Sequence, residues 1–165
     1  RLSRQPCLSS LLRGAHDWRA VFDLRMSGQP RPPVLLSSVL RAAAQRPDAL
    51  FWSSSHKQCI LVELTVPFEE GIGKAAQRKR ERYSSLVDRL VFEGWSASLL
   101  TVEVGARGFV GASLFRLLRA VGYSGSFSRV RDAVASIARR CSYLLWITRN
   151  NPEWRSFDDP FDYLC

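Results

Sequence analysis

The sequence predicts an α/β domain with a mixed central β-sheet flanked by helices. Two short segments rich in aromatic and β-branched residues are separated by a polar loop, which is typical of a β-hairpin. A long amphipathic helical pattern follows, and a further apolar strand comes after it. The 165 residues, of which 46% are hydrophobic, are enough for one domain with a substantial core.

The first part of the chain predicts a strand and a helix ahead of the hairpin. Residues 1–17 are interpreted as a basic leader, and residues 20–24 predict a first strand. Asp23 lies near the end of that strand, where it either joins a metal site or caps the sheet edge. A proline-rich loop leads into a helix over residues 34–44. The Arg46-Pro47 step ends this helix, because the residue before a proline disfavours helical geometry.

The hairpin has a predictable register. Residues 49–53 and 58–66 predict its two strands, and the four polar residues at 54–57 form the loop between them. If Ser53 pairs with Gln58 across this loop, every other pair is fixed as well. Partners in an antiparallel ladder have residue numbers with a constant sum, because one strand runs up while the other runs down.

This register sets Asp48 opposite Glu63. Directly opposed side chains lie roughly 5 Å apart at Cβ, and two carboxylates that close repel each other unless a cation lies between them. Oxygen ligands of this kind suit Mg²⁺ or Mn²⁺. Thr65 shares the strand face of Glu63. Glu63 lies in an otherwise apolar strand, where a carboxylate is costly without a partner, so we predict a site at this pair.

Lys79 is the second unusual residue. A helix is predicted over residues 72–93, with an apolar face at Ile72, Ala76, Tyr83, Leu86 and Leu90. Lys79 occupies a slot in this apolar stripe, so it points towards the sheet that carries the two carboxylates. The alternative is a snorkelling lysine, whose stem packs while its amine reaches water. The coincidence with the opposed carboxylates favours a site residue.

A further strand is predicted over residues 97–104. It carries Glu103, which becomes a third metal or water ligand if the strand docks beside Glu63. The alternative is a rim carboxylate that pairs with Arg107. Two more helices, the second over residues 128–148, complete the predicted order.

The charge of the chain indicates a nucleic-acid partner. The net charge is +9, and the excess is concentrated on the predicted helices, as expected of a phosphate-binding surface. A solvated basic face is the alternative. Residues 155–165 form an acidic tail, which is interpreted as a solvated terminus, with a mask over the basic face as the alternative.

The four cysteines are scattered, without the close spacing of a zinc site or a disulfide framework. They indicate a reducing compartment, either nuclear or cytoplasmic. No apolar run approaches the ~20 residues of a membrane span, so no membrane partner is expected. The chain begins at Arg1 rather than at a methionine, which indicates a piece of a longer protein.

Five sequence blocks occur in a characteristic order: Asp23-Leu24, Arg46-Pro47-Asp48, Glu63-Leu64-Thr65-Val66-Pro67, Arg78-Lys79 with Tyr83, and Glu103-Val104-Gly105 with Arg107-Gly108-Phe109. This set resembles the restriction-like endonuclease domain of non-LTR retrotransposons and its retrotransposon-derived relatives, which belong to the PD-(D/E)XK nucleases. The resemblance covers residues 18–154. Thr65 stands where the Glu-x-Lys element has its lysine, which leaves that role to Lys79. Arg82 stands where lysine is common, and this change preserves the charge.

The resemblance implies a restriction-endonuclease-like core and a metal-dependent DNA endonuclease that nicks strands by phosphodiester hydrolysis. It implies that Asp48, Glu63 and the Leu64 carbonyl hold Mg²⁺ or Mn²⁺. Lys79 would orient the attacking water or neutralise charge on the phosphate. Tyr83 would pack beside Lys79 or hydrogen-bond a phosphate. The basic residues that would position the DNA backbone without reading its sequence are Arg46, Lys74, Arg78, Arg80, Arg82 and Arg107.

DNA is the implied partner, and RNA is a second one if the domain belongs to a retrotransposon ribonucleoprotein. Two other interpretations stay open. The first is a catalytically inactive nuclease-fold domain that binds nucleic acid or protein within a larger polyprotein. The second is a structural module of such a polyprotein, whose basic helices are simply solvated.

Overall fold

The computed structural model describes residues 11–12, 14–22, 30–43 and 45–151. The elements, in chain order, are β1 (Arg19–Phe22), α1 (Val34–Ala42), β2 (Ala49–Ser53), β3 (Gln58–Thr65), a 3-10 turn (Glu69–Gly71), α2 (Ile72–Phe92), β4 (Ser96–Glu103), α3 (Ala112–Ala120) and α4 (Phe127–Thr148). The predicted α/β class and the predicted order of elements are confirmed.

The four strands form one mixed sheet in the order β1-β2-β3-β4. β1, β2 and β3 are antiparallel neighbours, whereas β4 pairs in parallel with β3. Helix α2 makes the connection between these two parallel strands, which need a long crossover. The predicted hairpin register is confirmed, because Ser53 pairs with Gln58 and the ladder continues to Ala49 opposite Val62.

Two hydrophobic clusters cover the two faces of the sheet. On one face, α1 and α2 pack over Leu50, Trp52 and Leu61. On the other face, α3 and α4 pack over Ile60 and Val62. Successive residues of β3 therefore enter opposite clusters, as the period of a strand requires. This alternation decides which helix each side chain of β3 meets.

The hairpin loop is held from outside by Asp17. Its carboxylate accepts hydrogen bonds from the Ser53 and Ser55 hydroxyls, both at 2.6 Å, and from the backbone N–H groups of Ser54 and Ser55. The Ser53 hydroxyl, followed by the groups of Ser55, holds the pKa of Asp17 well below its usual range. Asp17 lies in the segment predicted as a leader, and it packs against the domain.

Some predictions lie outside the described residues. They concern Asp23 and Leu24 at the end of the first strand, most of the 1–17 leader, and the acidic tail at 155–165. Within the described part of the chain, no helix is both long enough and apolar enough to cross a membrane. Cys59 and Cys141 are free thiols there.

Candidate active site

Asp48 immediately precedes β2 and directly follows the buried Pro47. The ladder ends at the pair Ala49–Val62, so Asp48 and Glu63 are the next residues beyond it on the two strands. The backbone N–H of Leu64 donates to Asp48 Oδ2 at 2.6 Å. This hydrogen bond ties the Asp48 carboxylate to the strand that carries Glu63.

Glu63 is a buried carboxylate on the face of the sheet that α2 covers. Only 4% of the residue is exposed, and it follows Leu61 along that face of β3. Its Oε1 accepts a charged hydrogen bond from Lys79 Nζ. Its Oε2 is also buried, and it has no hydrogen-bond partner among the described residues. A buried acceptor without a partner is costly, so this oxygen is the one that a further ligand would satisfy.

Lys79 reaches Glu63 from the inward stripe of α2. The stripe is confirmed, since Ala76, Tyr83, Leu86 and Leu90 are buried. The Lys79 side chain is 20% exposed, and its amine ends on the Glu63 carboxylate. The snorkelling alternative is therefore wrong, because the charged end of this lysine points into the domain.

Tyr83 organises the segment that carries Asp48. Its hydroxyl donates to the backbone carbonyl of Arg46 at 2.9 Å, and Gln45 Nε2 donates to the carbonyl of Arg82. Burial, followed by the neighbouring Glu63 carboxylate and by the charge of Asp48, raises the pKa of Tyr83 well above its usual range. Both carboxylates therefore raise the pKa of the same buried phenol. Tyr83 is fully buried, which fits packing beside Lys79 and leaves no access for a phosphate.

Glu103 is a second buried carboxylate on the same face. The parallel register pairs Glu63 with Thr101 and Thr65 with Glu103. The alternative that pairs Glu103 with Arg107 is wrong, because Arg107 binds Glu69 instead. The described residues contain no group of three or more His, Cys, Asp or Glu side chains placed to hold a metal, so Glu103 does not join Asp48 and Glu63 in such a group.

The donors at Asp48 and Glu63 fit a hard divalent cation. Both side chains offer carboxylate oxygens, and the backbone carbonyl of Leu64 comes directly after Glu63 in the chain. Oxygen-only ligands suit Mg²⁺ or Mn²⁺. The orphaned Glu63 Oε2 is the observation that supports the fit, because a cation there would satisfy an otherwise unpaired buried atom.

The basic residues around the site fall into two groups. The first group is exposed and has no ion pair among the described residues: Arg46, Lys74, Arg78, Arg80 and Arg82. Arg107 is different, because Glu69 and Glu70 neutralise it and its guanidinium lies over the Phe68 ring. The sequence predicted that Arg107, like the residues of the first group, would position the DNA backbone. The partners Glu69 and Glu70 come from a turn far away in the chain, and no local spacing indicated this pairing.

No family model matches this chain, and a comparison with curated protein sequences finds no significant match.

Proposed function

We propose that this domain is a metal-dependent DNA endonuclease, which nicks strands by phosphodiester hydrolysis, with a restriction-endonuclease-like core of the PD-(D/E)XK type. One observation carries the proposal. Two carboxylates at opposed positions of a hairpin and a lysine from the next helix converge on one face of the sheet. This combination of groups is what hydrolysis of a phosphodiester requires.

Asp48 and Glu63, together with the Leu64 carbonyl, would hold Mg²⁺ or Mn²⁺. When bound, the cation would polarise the scissile phosphate and lower the pKa of the attacking water. The hydrogen bond from the Leu64 N–H fixes the Asp48 carboxylate, so that it does not have to be ordered when the substrate arrives.

Lys79 would contribute a positioned positive charge. An ammonium group has three donors, so Lys79 can keep its bond to Glu63 and still donate to a water or a phosphate oxygen. Its stem is held in the apolar stripe of α2, which limits its motion. A preorganised donor of this kind stabilises charge that develops in the transition state.

Tyr83 and Gln45 would act as positioning residues. Each ties the segment before Asp48 to α2, the helix that carries Lys79. A single helix therefore fixes the lysine and one of the carboxylates relative to each other. The exposed basic residues of α2 would hold the DNA backbone, which gives affinity without sequence specificity.

The test is nicking of a supercoiled plasmid with Mg²⁺, Mn²⁺ or EDTA. We expect cleavage with either cation and none with EDTA. Asp48→Asn should abolish it, whereas Asp88→Asn, which alters an exposed carboxylate on α2, should not. A melting temperature for each variant confirms that the fold is kept. Cleavage that persists in EDTA, or in folded Asp48→Asn, contradicts the proposal.

One observation favours a second candidate, a nuclease-shaped domain that binds nucleic acid without cutting it. The direct Lys79–Glu63 pair already neutralises part of the site, as a purely structural ion pair would. This candidate predicts salt-dependent DNA binding with no nicking under any metal condition. The same plasmid assay, combined with a binding titration, separates the two candidates.

A further inference from the structure

The edge of the sheet beside the candidate active site exposes aromatic residues. Phe68 follows the end of β3 and is 57% exposed, and Phe109 lies in the loop after β4 and is 56% exposed. Leu64, whose N–H binds Asp48, is also exposed. Large exposed hydrophobic residues next to a site are typical of a binding surface.

Arg107 is fixed against one of these rings. Its Cζ lies 4.6 Å from the centre of the Phe68 ring. Its Nε donates to Glu69 Oε2 at 2.9 Å and its backbone N–H donates to Glu69 Oε1 at 2.7 Å, while Glu70 Oε1 lies 3.7 Å from its Nη2. The guanidinium is therefore ordered, and two carboxylates balance its charge.

This arrangement suits stacking better than it suits a phosphate contact. A phosphate would have to compete with Glu69 and Glu70 for the guanidinium. The Arg107 side chain is nevertheless exposed, and it remains a flat, ordered group. Guanidinium planes and aromatic rings are the groups on which unpaired bases stack.

The loop after β4 is built to hold this geometry. The Ala106 N–H donates to the Pro67 carbonyl, and the Gly105 N–H donates to the Phe109 carbonyl. Gly105 also has a steric role, since a Cβ at this position would lie 2.6 Å from Glu69 Oε1. A side chain at this position would require the Glu69 carboxylate that holds Arg107 to move.

Cations for a nucleic-acid backbone lie close by in the chain. α2 begins four residues after Phe68, and its first turns carry the exposed Lys74 and Arg78. Neither Lys74 nor Arg78 has an ion pair among the described residues. A strand whose bases stack at Phe68 and Arg107 would find partners there for its phosphates.

We propose that Phe68, Arg107 and Phe109 form a stacking platform for unpaired bases, so that the substrate is DNA with a single-stranded segment next to a duplex. The inference rests on the proposed function, since it names the substrate class of the same site. Single-stranded DNA is chosen over continuous duplex because paired bases present no free faces to a flat platform.

Binding in EDTA tests the platform without any cleavage. The probes are a fully paired duplex and the same duplex with an unpaired flap that carries 2-aminopurine. We expect the wild-type domain to prefer the flap by roughly tenfold, the scale of one stacked base, and to quench the 2-aminopurine. Phe68→Ala should lose both effects. Phe92→Ala, which removes an 88% exposed phenylalanine at the far end of α2, should lose neither.

Arg107→Lys separates stacking from charge. Lysine keeps the positive charge and a donor for Glu69 but has no plane to stack, so this variant should lose the flap preference as Phe68→Ala does. If Arg107 acted through a phosphate, affinity for flap and duplex would fall together or stay unchanged.

Equal affinity of the wild-type domain for flap and duplex overturns the platform, as do equal losses in Phe68→Ala and Phe92→Ala. Cleavage of plasmid without a flap preference defeats the platform alone. A flap preference without cleavage defeats the endonuclease proposal alone.

Discussion

Glu63 and Glu103 are two buried carboxylates on neighbouring parallel strands, and they have very different surroundings. Their exposed fractions are similar, at 4% and 6%. Glu63 has an ion pair with Lys79 and lies beside Tyr83 and Asp48. Glu103 has no ion pair among the described residues, and its Oε1 has no hydrogen-bond partner there. Burial of a carboxylate is therefore not enough to identify the candidate active site.

The difference comes from α2 rather than from the strands. Glu103 pairs with Thr65, two residues beyond Glu63 along the sheet. Lys79 and Tyr83 lie on one stripe of α2 and meet the sheet at Glu63. Of these two carboxylates, only Glu63 has a cation from a helix among the described residues.

The largest expected effect on stability is at the buried ion pair. Lys79→Met leaves the Glu63 charge buried without its cation, which should cost about 3 kcal/mol of the free energy of unfolding. Adding Glu63→Gln removes that charge, so the double variant should recover most of the loss. Denaturant unfolding of the two variants measures both values. A double variant as unstable as Lys79→Met alone would show that the unpaired Glu63 charge does not cause the loss of stability.

Tyr83→Phe tests how the Asp48 segment is positioned. It removes the hydroxyl that binds the Arg46 carbonyl, which should cost about 1 kcal/mol. Nicking should fall by a larger factor than this stability loss explains, because Asp48 is then held less well. The measurements are thermal unfolding and nicking on the same preparation. Normal nicking in Tyr83→Phe would show that the Tyr83 hydroxyl does not position Asp48.

Glu103→Gln should have a small effect of the opposite sign. A buried amide costs less than a buried carboxylate that lacks a cation, so stability should stay the same or rise by up to about 1 kcal/mol. Denaturant unfolding checks this. A large loss of stability would mean that the Glu103 carboxylate has a charged partner in the folded domain.

Charge reversal at Arg80 and Arg82 should leave stability nearly unchanged, because both side chains are exposed. It should weaken DNA binding for every sequence and flatten the salt dependence, since fewer counterions are released. Arg116→Glu with Arg119→Glu is the matched control, as these exposed residues lie on α3, over the opposite face of the sheet. Equal losses of DNA affinity in the two double variants would mean that DNA does not prefer the α2 face of the sheet over the α3 face.

Much of the local geometry was predictable from the sequence. A four-residue loop fixes the register of the hairpin, and that register sets Asp48 opposite Glu63. Helical periodicity placed Lys79 on the inward stripe, because a charged residue interrupts an otherwise apolar pattern. Both predictions depend on neighbours within one element or one tight turn.

Contacts between distant parts of the chain were not predictable. Arg107 and Glu69 are 38 residues apart, and their pairing depends on how the loop after β4 packs against the end of β3. The hydrogen bond from Tyr83 to the Arg46 carbonyl spans 37 residues. Neither arrangement has a periodic or local signal. Side chains with several candidate partners are assigned only when the tertiary packing is known.

Calorimetric titration with Mn²⁺ shows which of the two buried carboxylates, Glu63 or Glu103, binds a metal ion. The wild-type domain and Glu103→Gln should bind the ion with the same stoichiometry and similar affinity, and Glu63→Gln should lose binding while it stays folded. Unchanged Mn²⁺ binding in folded Glu63→Gln, or its loss in Glu103→Gln alone, would contradict the account.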